Sequence, residues 1–161
     1  MAAGDSESTV TKERKVLLVS SSGGHWVQLR RLRSAFEGWS RVYACTDAGY
    51  RSMVDRDERF YGVPEATRWD KLRLVHQALV VLWVLLRTYP EVVVSTGASP
   101  GFFAMLFGRL LRRKTIWVDS IANVDELSLS GKQARRFSDL WLTQWQHLAR
   151  PEGPKYFGSL V

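Results

Sequence analysis

The chain has 161 residues, enough for one domain with a sizeable core. Hydrophobic residues make up 45% of it, with seven Trp, which excludes disorder for most of its length. The net charge is +7 and the pI near 9.9, so the expected partners are anionic: nucleic acid, anionic lipid or a phosphorylated substrate. The single cysteine, Cys45, excludes an intramolecular disulfide framework and fits a reducing compartment. Its apolar neighbours make it a small buried residue rather than a reactive thiol.

Residues 1–14 are small and polar and lack the apolar core of a signal peptide. They read as a disordered tail ahead of one domain over 15–161. Val16, Leu17, Leu18 and Val19 predict a buried strand over 15–20. A small-residue turn, Ser20-Ser21-Ser22-Gly23-Gly24, leads to His25. Trp26, Leu29, Leu32 and Phe36 then recur at spacings of three and four, which predicts a helix over 25–36 stopped near Gly38. A second strand over 41–45 runs into Thr46-Asp47-Ala48-Gly49. A short helix over 50–56 and a third strand over 60–63, ended by Pro64, follow.

Residues 69–89 form the longest periodic segment, and 78–86 are apolar on every side. Such a helix is buried or touches lipid. The apolar run over 74–86 falls short of the ~20 residues a spanning helix needs. Two readings stay open. One is a crossover helix packed on a sheet. The other is an interfacial helix that turns Leu79 and Trp83 toward lipid, with Arg73 and Arg87 among the basic residues at its ends. One helix can do both along different faces.

A β-branched strand over 92–95 reaches a second small-residue turn, Thr96-Gly97-Ala98-Ser99-Pro100-Gly101. A helix over 102–111, closed by Arg112, Arg113 and Lys114, precedes a strand over 115–118 that ends at Asp119. A last strand is predicted over 140–143. Strand and helix alternate, which predicts an α/β fold with a doubly wound parallel sheet. Functional loops in such sheets lie beyond the carboxyl ends of the strands, where both glycine turns and Asp119 fall.

A strand, a glycine turn and a helix start together point backbone N–H groups at an anion. No Gly-Lys-Ser/Thr follows, so this is not a Walker loop, and the three spaced glycines of the dinucleotide fingerprint are absent. Taken alone, Gly23 and Gly24 read equally well as a plain tight turn. Two such turns, a basic surface and an apolar helix make a lipid-linked phosphate a coherent ligand. His25 is then a general base toward a sugar hydroxyl or a hydrogen-bond donor to phosphate. Asp119 is the other titratable candidate, or else a cap for the segment after it. The basic residues are dispersed among helix ends and carry no recognised nucleic-acid motif, so nucleic acid is not the expected partner.

Several pieces occur in a fixed order over 15–161. They are Ser21-Ser22-Gly23-Gly24-His25, Pro90-Glu91-Val92-Val93-Val94-Ser95-Thr96-Gly97 and Asp119-Ser120-Ile121-Ala122-Asn123-Val124. Leu127-Ser128-Leu129-Ser130-Gly131-Lys132, Gln144-Trp145 and Tyr156-Phe157-Gly158-Ser159-Leu160 follow. This set resembles the acceptor-binding subunit of two-piece GT-B glycosyltransferases. Eukaryotic members add the second N-acetylglucosamine of the dolichol-linked oligosaccharide. Bacterial ones are the PssD and CpsF types of polysaccharide synthesis, and the N-terminal half of MurG is a more distant relative.

The resemblance implies a Rossmann-like parallel sheet with helices on both faces, equivalent to the N-terminal half of GT-B. It implies that Ser22, Gly23, Gly24, Gly97, Ser99 and Gly101 face the diphosphate of a polyprenyl-diphosphate-linked glycan acceptor, with His25 and Asp119 as catalytic candidates. A separate donor-binding subunit would hold most of the UDP-sugar and complete a heterodimer, this chain being inactive alone. Glu126, Lys132 and Gln144 are candidates for the cleft between subunits. No metal or other cofactor is implied. A non-catalytic membrane recruiter is the alternative role, with a stand-alone nucleotide- or nucleic-acid-binding module ranked behind it.

Two departures stand out. Asp119-Ser120 stands where the family often has Glu-Ser, and Asn123 where it has Arg. Residues 1–14 cannot serve as the membrane anchor of the eukaryotic members. Contact with an anionic membrane then falls to 69–89 and the basic clusters, which points to the bacterial side and a peripheral position on the cytoplasmic face of the inner membrane.

Overall fold

The computed structural model describes residues 13–160, and the tail expected over 1–14 lies almost wholly outside them. Seven strands form one sheet: β1 Lys15–Ser20, β2 Ser40–Cys45, β3 Arg59–Gly62, β4 Val92–Ser95, β5 Lys114–Val118, β6 Leu140–Thr143 and β7 Lys155–Tyr156. Their order is β3-β2-β1-β4-β5-β6-β7, and every neighbouring pair is parallel. Four α-helices accompany them: α1 Gly24–Arg31, α2 Lys71–Thr88, α3 Ala98–Leu110 and α4 Leu129–Ala134. This is the expected Rossmann-like arrangement.

The central strands are buried on both faces, which is why their sequences run apolar without alternating. Leu17, Val19, Val42, Ala44 and Val93 pack with Val81, Val84 and Leu85 of α2 and Ala104 and Met105 of α3. Val16, Leu18, Tyr43, Cys45 and Val94 pack on the other face with Trp26 and Leu29 of α1. Each fully buried Leu or Val contributes roughly 1.5–3 kcal/mol. The strand order reverses between β1 and β4, and the helices that follow those two strands leave on opposite faces. In open α/β sheets such a reversal, beyond the carboxyl ends of the strands, is where a ligand crevice forms.

Several boundaries differ from expectation for identifiable reasons. The first helix ends at Arg31 and the chain tightens into a 3-10 turn over Leu32–Phe36. The predicted helix over 50–56 is a 3-10 turn over Ala48–Met53, opened by Asp47, whose side chain accepts from the Gly49 N–H. The third helix begins at Ala98 rather than 102. Pro100 thus sits in the first turn, where a missing N–H costs nothing, and Ser99, Pro100 and Gly101 are helix rather than loop. α4 and β7, six and two residues long, were not anticipated, being too short to show a period.

α2 is a crossover helix packed on the sheet, and its other side is an exposed apolar stripe. Gln77, Val81, Val84, Leu85 and Thr88 face the sheet. Leu72, Val75, Leu79, Trp83 and Leu86 recur at three and four on the opposite side and are exposed. Asp70 caps the helix by accepting from the Arg73 N–H at 3.0 Å. No helix among the described residues is long and apolar enough to cross a membrane.

Candidate functional site

The two glycine turns meet through one side chain. His25 Nδ1 lies 2.9 Å from the Thr96 carbonyl, and Thr96 Oγ1 donates to the His25 carbonyl at 2.7 Å. A carbonyl oxygen can only accept, so Nδ1 carries the proton and Nε2 of the neutral ring keeps its lone pair. The imidazole lies against Gly97. A Cβ there would sit 2.4 Å from His25 Cε1, and the Gly97 φ of +145° is in itself a conformation that side chains avoid. Glycine is therefore required at 97 by the ring of His25, a long-range reason that spacing along the chain does not display.

The amides free of partners in the chain are fewer than expected, and in the first turn they lie further along. The Ser22 N–H donates to Thr46 Oγ1 at 3.0 Å and the Gly23 N–H to the Tyr50 hydroxyl at 3.2 Å, so both are spent inside the chain. Gly23, with φ +73°, supplies the bend that starts α1. The amides left open belong to Gly24, His25 and Trp26, the first turn of α1, which no intrahelical carbonyl reaches. On the other side the Gly97 N–H is held by Ser95 Oγ at 3.1 Å, leaving Ala98 and Ser99 at the start of α3. Gly101 is buried behind the turn and faces no ligand. A Cβ there would fall 1.9 Å from Ser95 Oγ, so its part is to admit the serine that holds Gly97. Ala98 carries a left-handed φ of 64°, and such strain in non-glycine residues gathers at functional sites.

Asp119 is 1% exposed, and both its oxygens are engaged by the chain's own donors. Oδ1 accepts from Trp117 Nε1 at 3.1 Å and from the Ser128 hydroxyl. Oδ2 accepts from the Ser128 N–H at 2.9 Å and Asn123 Nδ2 at 3.2 Å. Ser128 in turn caps α4 by accepting from the Gly131 N–H at 2.8 Å. A Cβ at Gly131 would strike Asp119 Oδ1 at 2.5 Å, which explains the Ser-Leu-Ser-Gly order of that segment. The geometry thus corrects the expectation of Asp119 as a reacting group: it is a buried organiser of the loop 120–128. Capping was the other sequence reading, and the cap it secures is that of α4.

Gln144 is corrected in the same way. It was expected at a cleft wall, but it is 3% exposed and both ends of its amide are used. Nε2 donates to Gln28 Oε1 and to the Asp119 carbonyl, while Oε1 accepts from the Leu160 N–H. Gln28 also donates to Ser120 Oγ at 3.0 Å and accepts from the Ile121 N–H. Its amide therefore ties α1 to the loops after β5 and β6. Sequence reasoning passed over Gln28, Thr96, Tyr50 and Ser128. Only a polar residue next to the apolar stripe of α1 hinted at the first.

Glu126 and Lys132 are exposed and paired at 2.7 Å, and the Lys132 ammonium holds the Glu126 carboxyl below its ordinary range. Arg73, Leu79, Trp83 and Arg87 all project from α2 into solvent.

Comparisons with known proteins match this architecture. Residues 67–160, more than half of the chain, match the family model described as oligosaccharide biosynthesis protein Alg14 like. The mouse protein named UDP-N-acetylglucosamine transferase subunit ALG14 is 28% identical over 95% of this chain and 86% of its own length. Its namesake from Eremothecium gossypii is 36% identical over 47% of this chain, but that match spans only 37% of the fungal protein. Among solved structures, MurG from Acinetobacter baumannii superposes with a TM-score of 0.74 at 12% identity. That superposition covers 92% of this chain and 46% of MurG. A UDP-GlcNAc 2-epimerase from Neisseria meningitidis gives a TM-score of 0.61 at 13% identity over 83% of the chain and 41% of the epimerase. The chain thus spans less than half the length of these two structures, and they share its fold. The chain belongs to the Alg14-like family of oligosaccharide biosynthesis proteins.

Proposed function

We propose that the chain is the acceptor-binding subunit of a two-subunit, UDP-sugar-dependent glycosyltransferase that works on a polyprenyl-diphosphate-linked glycan at a membrane surface. The observation that carries this reading is the contact of His25 with Gly97, which joins the starts of α1 and α3 at the sheet's reversal, where a ligand crevice is expected. Open amides from both helix starts suit the acceptor diphosphate. His25 Nε2, the free nitrogen of the ring, takes the proton of the acceptor sugar hydroxyl. The hydroxyl oxygen then attacks the anomeric carbon of the donor sugar, and UDP departs with the electron pair of the broken C–O bond. The Thr96 carbonyl fixes the tautomer and steadies the imidazolium that results. Asp119, Gln28 and Gln144 position the crevice without touching substrate.

The names of the relatives support the donor as UDP-N-acetylglucosamine and this chain as a subunit of a transferase. A donor-binding partner would close over the crevice, with Glu126 and Lys132 on its rim. The exposed stripe of α2, with Leu79 and Trp83 between Arg73 and Arg87, supports peripheral contact with an anionic membrane.

The test is sugar transfer from radiolabelled UDP-N-acetylglucosamine to a lipid-linked acceptor, with this chain, its partner, and the two together. Only the pair should be active. His25→Gln should lower kcat by roughly 100-fold or more, the usual contribution of a general base. Activity from this chain alone would contradict the reading. Unchanged transfer by the His25→Gln pair would leave the chain a recruiter only.

A further inference from the structure

A groove of about 460 Å³ starts at Ala98 and Ser99, beside the His25–Gly97 contact, and runs between α2, α3 and α4. Its walls are mainly carbon: Leu74, Phe102, Phe103 and Leu129. Arg68 stands at its rim. The volume falls within the roughly 300–1,000 Å³ of small-molecule sites. Leu129 is 60% exposed on the first turn of α4, although Leu is a residue that packing normally recruits. Beside Leu74, Leu72 and Val75 of the same helical turns are exposed, so the wall of the groove passes into the outer stripe of α2.

Resting on the acceptor reading above, we infer that this groove binds the first isoprene units of the lipid, those directly bonded to the diphosphate. Three features select that occupant over a free apolar ligand or a peptide. Ala98 and Ser99, the first residues of α3, line the groove, and the N–H groups of a helix start call for an anion. Arg68 adds positive charge at the rim. The far end joins an apolar face already exposed for membrane contact. A molecule with an anionic head bonded to a branched hydrocarbon chain, and a tail continuing into lipid, matches this sequence of surfaces. The protein then lifts the proximal part of the chain out of the bilayer. That brings the sugar hydroxyl up to His25 while α2 stays at the surface.

The experiment is calorimetric binding of the full chain to farnesyl diphosphate and to inorganic diphosphate, in buffer without vesicles or detergent. Burying three or four CH2 groups beyond the head makes farnesyl diphosphate roughly 100-fold tighter. Leu129→Asn, at an exposed position, and Phe103→Ala should each reduce that preference about tenfold or more and leave inorganic diphosphate binding unchanged. A Leu79→Ser and Trp83→Ser double variant should lose vesicle binding and keep the preference. Equal affinity for the two ligands, or preference unaltered in both groove variants, would overturn the groove and leave the acceptor reading standing. Binding of neither ligand would overturn both.

Discussion

Gly97→Ala probes the contact on which the site depends. Gly97 has φ +145°, where a side chain is strained by about 1–3 kcal/mol. Its Cβ would also lie 2.4 Å from His25 Cε1 and 2.5 Å from Nδ1, so the ring must leave. Departure breaks the bond to the Thr96 carbonyl, worth about 1 kcal/mol. The expected loss is about 2–4 kcal/mol in urea unfolding, a large share of the ~5–15 kcal/mol of a typical domain. His25→Ala alone should cost about 1 kcal/mol. With His25→Ala in place, Gly97→Ala meets no ring and retains only its backbone strain. The double variant should therefore be about 1 kcal/mol or more better than the sum of the singles. Additivity within ~0.3 kcal/mol would refute the claim that the ring of His25 is what requires glycine at 97.

Asp119→Asn places an amide N–H against donors, either the Ser128 N–H and Asn123 amide or the Trp117 and Ser128 pair. It should cost about 2–4 kcal/mol and open 120–128 to limited proteolysis. Ala98→Gly relieves a left-handed residue worth about 1–2 kcal/mol against a glycine entropy of about 0.5–1, so the melting temperature should rise by about 1–2 °C. Burial pushes the Cys45 thiol and the Tyr43 phenol above their ordinary values of 9.0 and 10.0. Both are held neutral in the fold, so the native state keeps its protons longer than the unfolded chain. Their contribution is full below pH 9 and is lost as pH rises beyond it, so the urea midpoint should fall as pH is raised above 9. For the same reason Cys45 should resist iodoacetamide at pH 8 until denaturant is added.

The parallel sheet was legible because its strands are buried on both faces: Val16 to Val19 and Val92 to Val94 leave little choice of structure. α2 was legible for the opposite reason, since eighteen residues give a period time to declare itself. The turns told less. Which amides face outward is decided by Thr46 and Tyr50, twenty-four and twenty-seven residues from their partners. The same holds for Asp119, whose role is fixed by Ser128, and for Gln144, met by Gln28 from 116 positions away. His25 was found from its place at a helix start. That it bridges both turns required Thr96, which stands in the second glycine turn but 71 residues from its partner.

The outer stripe of α2 also governs how the isolated chain behaves in a tube. Trp83, Leu79 and Leu72 are 53%, 59% and 85% exposed along one line, with arginines beyond both ends. Away from lipid, such a line covers itself by pairing with another copy, and the flanking positive charges resist that approach. Salt therefore acts in opposite directions on the two surroundings. It should weaken the proposed attachment to anionic vesicles by screening the arginines over roughly a Debye length, and promote self-association by removing the same repulsion. A preparation that stays monomeric in dilute buffer and clusters on salting, unless mild detergent is present, is the behaviour this helix dictates.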